Sequence, residues 1–230
     1  MILAYERLLD VDTVAFFVFL FAAMGAFLVG TTFHEFSHAA SALALGDRTA
    51  QAAGRVTLNP IAHLDPFGTV LLLIAGFGWG KPVPVNPYRL RGGLQSSALV
   101  SFAGPLANFV TAAIATTILR ATPIPVRHPF DASAYLNIDW TTSDYIGLLL
   151  AATVFFNVIL GVFNLLPIAP LDGFKVALGV LPRDMAVEYS KTEQYGPGIL
   201  LVVIFVLPLF LGISIIFPVV RFISDLLLGT

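Results

Sequence analysis

Apolar residues fall in long runs along this chain, and the runs predict its elements. A helix crossing a bilayer needs about 20 mostly apolar residues. Four stretches qualify, at about 13–45, 94–119, 145–166 and 198–228. The first opens on Asp12 as a candidate N-cap and closes at Gly46. At about 1.5 Å per residue it exceeds one bilayer, so it must tilt, kink or protrude. Pro105 sits early in the second; Pro167 and Pro170 end the third; Pro208 and Pro218 should kink or divide the fourth. A fifth run, 67–79, is short and Gly-rich, which suits a re-entrant or interfacial segment as well as a span. The expected fold is an all-α polytopic membrane protein with about four transmembrane helices plus this re-entrant or short fifth segment. The longest stretch between spans, 46–93, is too small for a separate soluble domain, so 1–230 reads as one integral-membrane domain. The first run is too long for a signal peptide, is preceded by Glu6, Asp10 and Asp12, and is followed by no small-residue cleavage site.

Composition narrows the class further. The 230 residues are 57% hydrophobic and 11% charged, against about 25% charged in soluble domains, and 20 Phe argue against disorder. A net charge of −2 offers no field for nucleic acid. With no cysteine, disulfides, Cys-ligated zinc and iron–sulfur sites are excluded.

Charge placement gives a topology. Arg48, Arg55, Lys81, Arg89 and Arg91 precede the second span, and Lys175, Arg183 and Lys191 follow the third. The connection 120–144 carries Asp131, Asp139 and Asp144 against two basic residues. The positive-inside rule makes the first two connections cytoplasmic and the last external. That requires 67–79 to dip in and return.

The first span carries His34-Glu35-Phe36-Ser37-His38. Ionisable residues inside a span are costly, and three within five positions point to a function. The i, i+4 spacing puts both imidazoles on one helix face, where two nitrogens can hold one metal ion. Glu35 lies beside that face, within reach of a catalytic water. A tetrahedral catalytic zinc needs a third protein ligand. His128 falls in the external connection. His63 and Asp65 lie in a turn-rich connection, where turn capping and local hydrogen bonds are the favoured reading. Asp172 follows the Pro-broken end of the third span, at the same expected boundary as the end of the first. Depth therefore favours Asp172.

These residues resemble the site-2 protease family of intramembrane zinc metalloproteases. The resemblance rests on His34-Glu35-x-x-His38 in a transmembrane helix and on the Asn-x-x-Pro-x-x-Pro-Leu-Asp-Gly pattern from Asn164 to Gly173. Ala103-Gly104-Pro105-Leu106-Ala107-Asn108 and the stretch from Gly80 to Pro87 also look like the family. The resemblance covers roughly 30–190 and leaves no room for the family's PDZ or CBS domains. It implies a small bacterial or archaeal member in the cell (inner) membrane, with its catalytic core at about 13–190. It implies one zinc ion bound by His34, His38 and Asp172, Glu35 as general base and acid, and Asn164 holding the substrate or tetrahedral intermediate. Transmembrane protein or peptide substrates, cleaved near the cytoplasmic side, and the bilayer itself are the implied partners. For Asn157 and Asn108 the structural reading is preferred. Pro82-Val83-Pro84-Val85-Asn86-Pro87 favours an extended chain, offering either an edge for an unwound substrate or, the favoured reading, a rigid interfacial loop.

Two competing functions use the same residues. A membrane HExxH protease of the prenyl-protein type would take a glutamate as third ligand, leaving only Glu188 and Glu193 downstream. A divalent-metal transporter or binding protein would use His34, His38 and Asp172 as a transit site, but has no need of Glu35.

Overall fold

Three long helices form the frame of the protein: α1 (Thr13–Ala44), α3 (Gly93–Ala121) and α4 (Thr142–Asn164). The computed structural model describes residues 13–75, 78–129 and 139–229. Asp12, Asp131 and the acids Glu6 and Asp10 lie outside the described residues. Each frame helix is long and apolar enough to cross a membrane, as is the helical stretch Arg183–Leu211. The chain is thus an all-α polytopic membrane protein.

The three helices pack against one another pairwise. Their shared seam is built from small residues: Ala22, Ala23 and Ala26 of α1, Ala112 and Ala115 of α3, and Ala151 and Ala152 of α4, all buried. Lipid tails are as apolar as any side chain, so close backbone approach and dispersion hold such a seam together. Phe16, Phe19, Phe27 and Phe155 fill the space between. At the start of α4 the Thr141 side chain and the Asp144 carboxylate form a capping box, and Arg127 pairs with Asp144 at 2.6 Å. Pro105 lies within α3 without ending it.

Between α1 and α3 the chain makes the short helix α2 (Pro66–Ala75). Ten residues rise about 15 Å, half a bilayer. The chain then comes back. Leu64 forms an antiparallel bridge with Gly80, and a Cβ placed on Gly68 would lie 2.2 Å from the Trp79 carbonyl. A Cβ on Gly78 would lie 2.2 Å from the Gly68 carbonyl, so only glycine admits this backbone-to-backbone contact. Residues 78–80 therefore lie back against the start of α2, the return that a re-entrant segment requires.

After α4 ends at Asn164, α5 (Asp172–Val180) packs on α3 and is followed by α6 (Arg183–Ser190). The C-terminal run 198–228 is divided, as expected of a stretch that carries Pro208 and Pro218. Helix α7 covers 196–211, with a π-helical segment, Val202–Val206, between α-helical Gly196–Leu201 and Leu207–Leu211. Pro208 cannot donate to the preceding turn, and the widened segment lies directly before it. The division comes at Gly212, whose φ of 65° is left-handed, and α8 (Ile216–Leu228) follows. Pro218 falls in the first turn of α8, where proline is tolerated, whereas Pro208 lies inside α7 and is accommodated by the widened turn before it. Helix α8 packs on α3 and α4, whereas α7 is mostly exposed.

Candidate metal centre

Helix α1 presents His34 and His38 one turn apart, both buried, with ring centroids 4.6 Å apart. Asp172 is the first residue of α5, in a separate part of the chain. Its Oδ2 lies 3.1 Å from Nε2 of His34 and 3.1 Å from Nε2 of His38, and the two Nε2 atoms are 3.0 Å apart. Among the described residues this is the group whose ligand atoms converge within metal-binding distance.

The hydrogen bonds behind the rings set which nitrogen of a neutral imidazole carries the hydrogen. His38 Nδ1 is 2.7 Å from the Val100 carbonyl, which can only accept, so Nδ1 carries the hydrogen. His34 Nδ1 is 2.6 Å from Asn108 Oδ1. The Asn108 amide is oriented in turn: its Nδ2 donates to the Gly30 carbonyl and to Asn157 Oδ1, both at 3.0 Å. Asn157 donates its own Nδ2 to the Thr153 carbonyl at 2.9 Å. In their neutral, metal-binding form both imidazoles therefore turn Nε2 lone pairs toward one carboxylate oxygen. Three acceptors this close repel one another unless a cation lies among them. A tetrahedral ion with bonds of about 2.0–2.1 Å spaces its ligands by about 3.3 Å, close to the spacing found. The donor set of two neutral imidazoles and a carboxylate suits zinc.

Gly104 of α3 closes the back of this cluster. A Cβ there would stand 2.5 Å from His38 Nε2 and 2.7 Å from His34 Nε2. The rings thus lie directly against the α3 backbone. Asn108 is one turn further along the same face, buried completely. Asn108 and Asn157, structural by sequence alone, connect α3 and α4 to a candidate ligand. The available signal was an amide at i+4 from a glycine in an apolar helix.

Glu35 accepts a hydrogen bond at Oε2 from the Val83 N–H, 3.1 Å away. Val83 belongs to an extended segment that follows the re-entrant loop. A cavity of about 410 Å³ lies between α1 and this segment, lined by His34, Glu35, His38, Asp172, Val83 and Asn164 among others. Asn164 borders the cavity and donates one hydrogen of its amide to the Leu160 carbonyl of its own helix at 2.9 Å.

The remaining candidates lie elsewhere. His63 is fully buried and bonds the Thr57 carbonyl at 2.8 Å; Asp65 caps α2 through the Gly68 N–H at 2.9 Å. His128 faces Asp225 at 3.8 Å. Glu188 pairs with Lys191 on the surface, and Glu193 sits in a 3₁₀ turn, so neither joins the histidines.

A transmembrane helix bearing HExxH, with an aspartate from a distant turn meeting both histidines, defines a membrane metallohydrolase class. The sequence family described as Peptidase family M50 matches residues 123–209, which include the Asn164–Gly173 pattern. The chain is 38% identical over 198 residues to "Putative zinc metalloprotease YwhC" of Bacillus subtilis, covering 84% of this chain and 83% of that protein. "Putative zinc metalloprotease Rip2" is 29% identical in Mycolicibacterium smegmatis, over 83% of this chain and 68% of that protein. The Rip2 of Mycobacterium tuberculosis is 29% identical over 88% of this chain and 73% of its own length. No solved structure matches the chain significantly. This chain belongs to peptidase family M50, the site-2 protease family, and is a zinc-dependent metalloprotease of the membrane.

Proposed function

We propose that this protein is an intramembrane endopeptidase that hydrolyses peptide bonds in or near transmembrane segments of membrane-anchored substrates. One observation carries the reading: His34 and His38, within a membrane-spanning helix, converge with Asp172 at 3.0–3.1 Å beside the cavity that holds Glu35. His34, His38 and Asp172 would hold one zinc ion. Bound zinc supplies Lewis acidity, lowering the pKa of water toward about 7 and polarising a carbonyl.

The chain's own residues do the rest. Asn108 and the Val100 carbonyl hold the two imidazoles in the tautomer that binds metal. Glu35 takes a proton from the attacking water and passes it to the leaving amine. Asn164 borders the cavity where an oxyanion would form, and its amide has a second N–H beside the one given to Leu160. A helical substrate hides its amides and must unwind before cleavage. The Val83 carbonyl and the Val85 N–H and carbonyl have no partner among the described residues, and both valines line the cavity. That edge is suited to an unwound segment. A second, apolar cavity of about 250 Å³ shares Phe27, Leu160 and Phe163 with the first and reaches Val203 and Pro208 of α7. It would admit apolar substrate from the α7 side. The positive-inside rule supports a site facing the cytoplasmic side, and the family resemblance supports a prokaryotic cell (inner) membrane. Residues 1–230 act as one membrane domain.

The test is the Glu35→Gln protein purified in detergent. It should keep about one zinc per chain and lose cleavage, while Asp172→Ala should lose the zinc. In cells, membrane proteomics should find transmembrane fragments accumulating with Glu35→Gln and disappearing with the active enzyme. Undiminished cleavage by Glu35→Gln would sink the mechanism.

A further inference from the structure

The segment bearing Val83 is held from behind by buried charged side chains outside the metal centre. Arg55, in the connection between α1 and α2, is only 6% exposed. Its Nη1 donates to the Pro82 carbonyl at 3.2 Å and its Nη2 to the Lys81 carbonyl. Nη2 also faces His63 Nδ1 at 3.4 Å. His63 is 0% exposed, and because its Nε2 meets the Thr57 carbonyl at 2.8 Å, that nitrogen carries the hydrogen and Nδ1 is left as an acceptor toward Arg55. The His63 carbonyl accepts the Lys81 N–H at 2.8 Å. At the other end, Asp47 Oδ2 accepts the Asn86 N–H at 2.6 Å.

These contacts fall on 81, 82 and 86. In a planar trans peptide the carbonyl of one residue and the N–H of the next point in opposite directions. The two prolines have no N–H to offer, and the Pro82 carbonyl is turned back toward Arg55. Val83 therefore turns forward, to Glu35. The Pro82 carbonyl gripped by Arg55 and the Val83 N–H that holds Glu35 belong to one peptide group. A buried guanidinium is expensive, and here its described partners are two carbonyls and an imidazole nitrogen. The planar fork can hold two carbonyls at once in a fixed plane, which an ammonium cannot do.

We propose that Arg55, backed by His63, is a positioning residue for Glu35: its grip on the Lys81 and Pro82 carbonyls sets where the Val83 N–H meets the Glu35 carboxylate. It rests on the reading of Glu35 as general base.

Full-length protein in dodecyl maltoside is compared with Arg55→Lys, Val83→Pro and the double variant. Three readouts are taken: hydrogen–deuterium exchange, zinc content, and hydrolysis of fluorescein-labelled casein. Arg55→Lys should raise exchange at the Val83 amide at least about tenfold, with zinc content and exchange in α3 unchanged. Its kcat should fall about 10–100-fold with little change in KM. Val83→Pro removes the N–H itself and should lower kcat similarly. The double variant should be no worse than Val83→Pro, because both changes break one linkage. Unchanged exchange at Val83, loss of zinc, or additive effects in the double variant would each overturn the proposal. If Arg55→Lys does not fold, His63→Gln is read by the same criteria. Glu35→Gln run in parallel separates the two readings. An active Glu35→Gln removes Glu35 as base and this role with it. An inactive one beside an unimpaired Arg55→Lys removes only the role of Arg55.

Discussion

Adding one methyl group at Gly104 should remove the metal while leaving the fold. The Cβ of Gly104→Ala would sit 2.5 Å from His38 Nε2, 2.6 Å from its Cε1 and 2.7 Å from His34 Nε2, whereas ordinary contacts begin near 3.4 Å. Each ring must therefore retreat by about 0.7–0.9 Å. Metal–ligand distances tolerate about 0.2 Å. The rings cannot swing aside freely, because their Nδ1 atoms are held at 2.6 Å by Asn108 and at 2.7 Å by the Val100 carbonyl. Overpacking costs about 1–3 kcal/mol, and replacing Gly by Ala in a helix interior returns about 1 kcal/mol. The net change in folding stability is small. Zinc affinity should fall at least about 100-fold, since both nitrogens leave their positions together. Competition against a chromogenic chelator measures the affinity, and thermal unfolding of the metal-free protein measures the fold. Gly198→Ala is the control, because a Cβ there meets nothing within 4 Å. A Gly104→Ala protein with wild-type zinc affinity would refute the placement of the metal between these two rings.

Three further outcomes follow from the same contacts. Asn108→Ala removes the acceptor of His34 Nδ1 and should weaken zinc binding about 10–100-fold, with Asn157→Ala weaker in effect because it acts one bond further away; both are read by the same titration. Gly68→Ala would push a Cβ to 2.2 Å from the Trp79 carbonyl, a backbone atom with little room to yield. It should destabilise the protein by about 1–3 kcal/mol in thermal unfolding and impair cleavage by displacing the segment that follows the loop. Burial alone would raise the Asp47 carboxyl, but the Thr49 hydroxyl and the N–H groups of Asn86 and Thr49 outweigh it and hold the pKa below the usual range. Its contribution is complete above about pH 4, the unfolded value, and is lost as pH falls through the lowered folded value. The drop in melting temperature from pH 6 to pH 3 should therefore be smaller in Asp47→Asn than in the wild type.

Much of this architecture is written locally along the chain. Three of the helices follow from runs of apolar residues closed by Gly46, by Pro167 and by the polar connection after Arg120, because the cost of leaving water or lipid is a property of each stretch by itself. The i, i+4 pairing of His34 and His38 is likewise fixed by helix geometry, so both rings could be assigned to one face without a fold. Asp172 could be brought to the same depth by topology alone. Where the C-terminal run divides was less legible: two prolines marked it, but the chain turns at Gly212 between them, since a widened turn absorbs Pro208, a first turn tolerates Pro218, and a left-handed φ favours glycine. Only the tertiary structure decided what stands around the metal centre. Gly104, Asn108 and Asn157 are ordinary small and polar residues of transmembrane helices until α1, α3 and α4 cross. The crossing then puts a glycine behind two imidazoles and an amide on His34. Arg55 and His63 read as loop residues until the chain folds back from the re-entrant segment and places Val83 against Glu35. Hydrophobicity and helix period act over neighbours in sequence. Which donor meets which acceptor depends on the angle and register of helices far apart in the chain, and no local property records that.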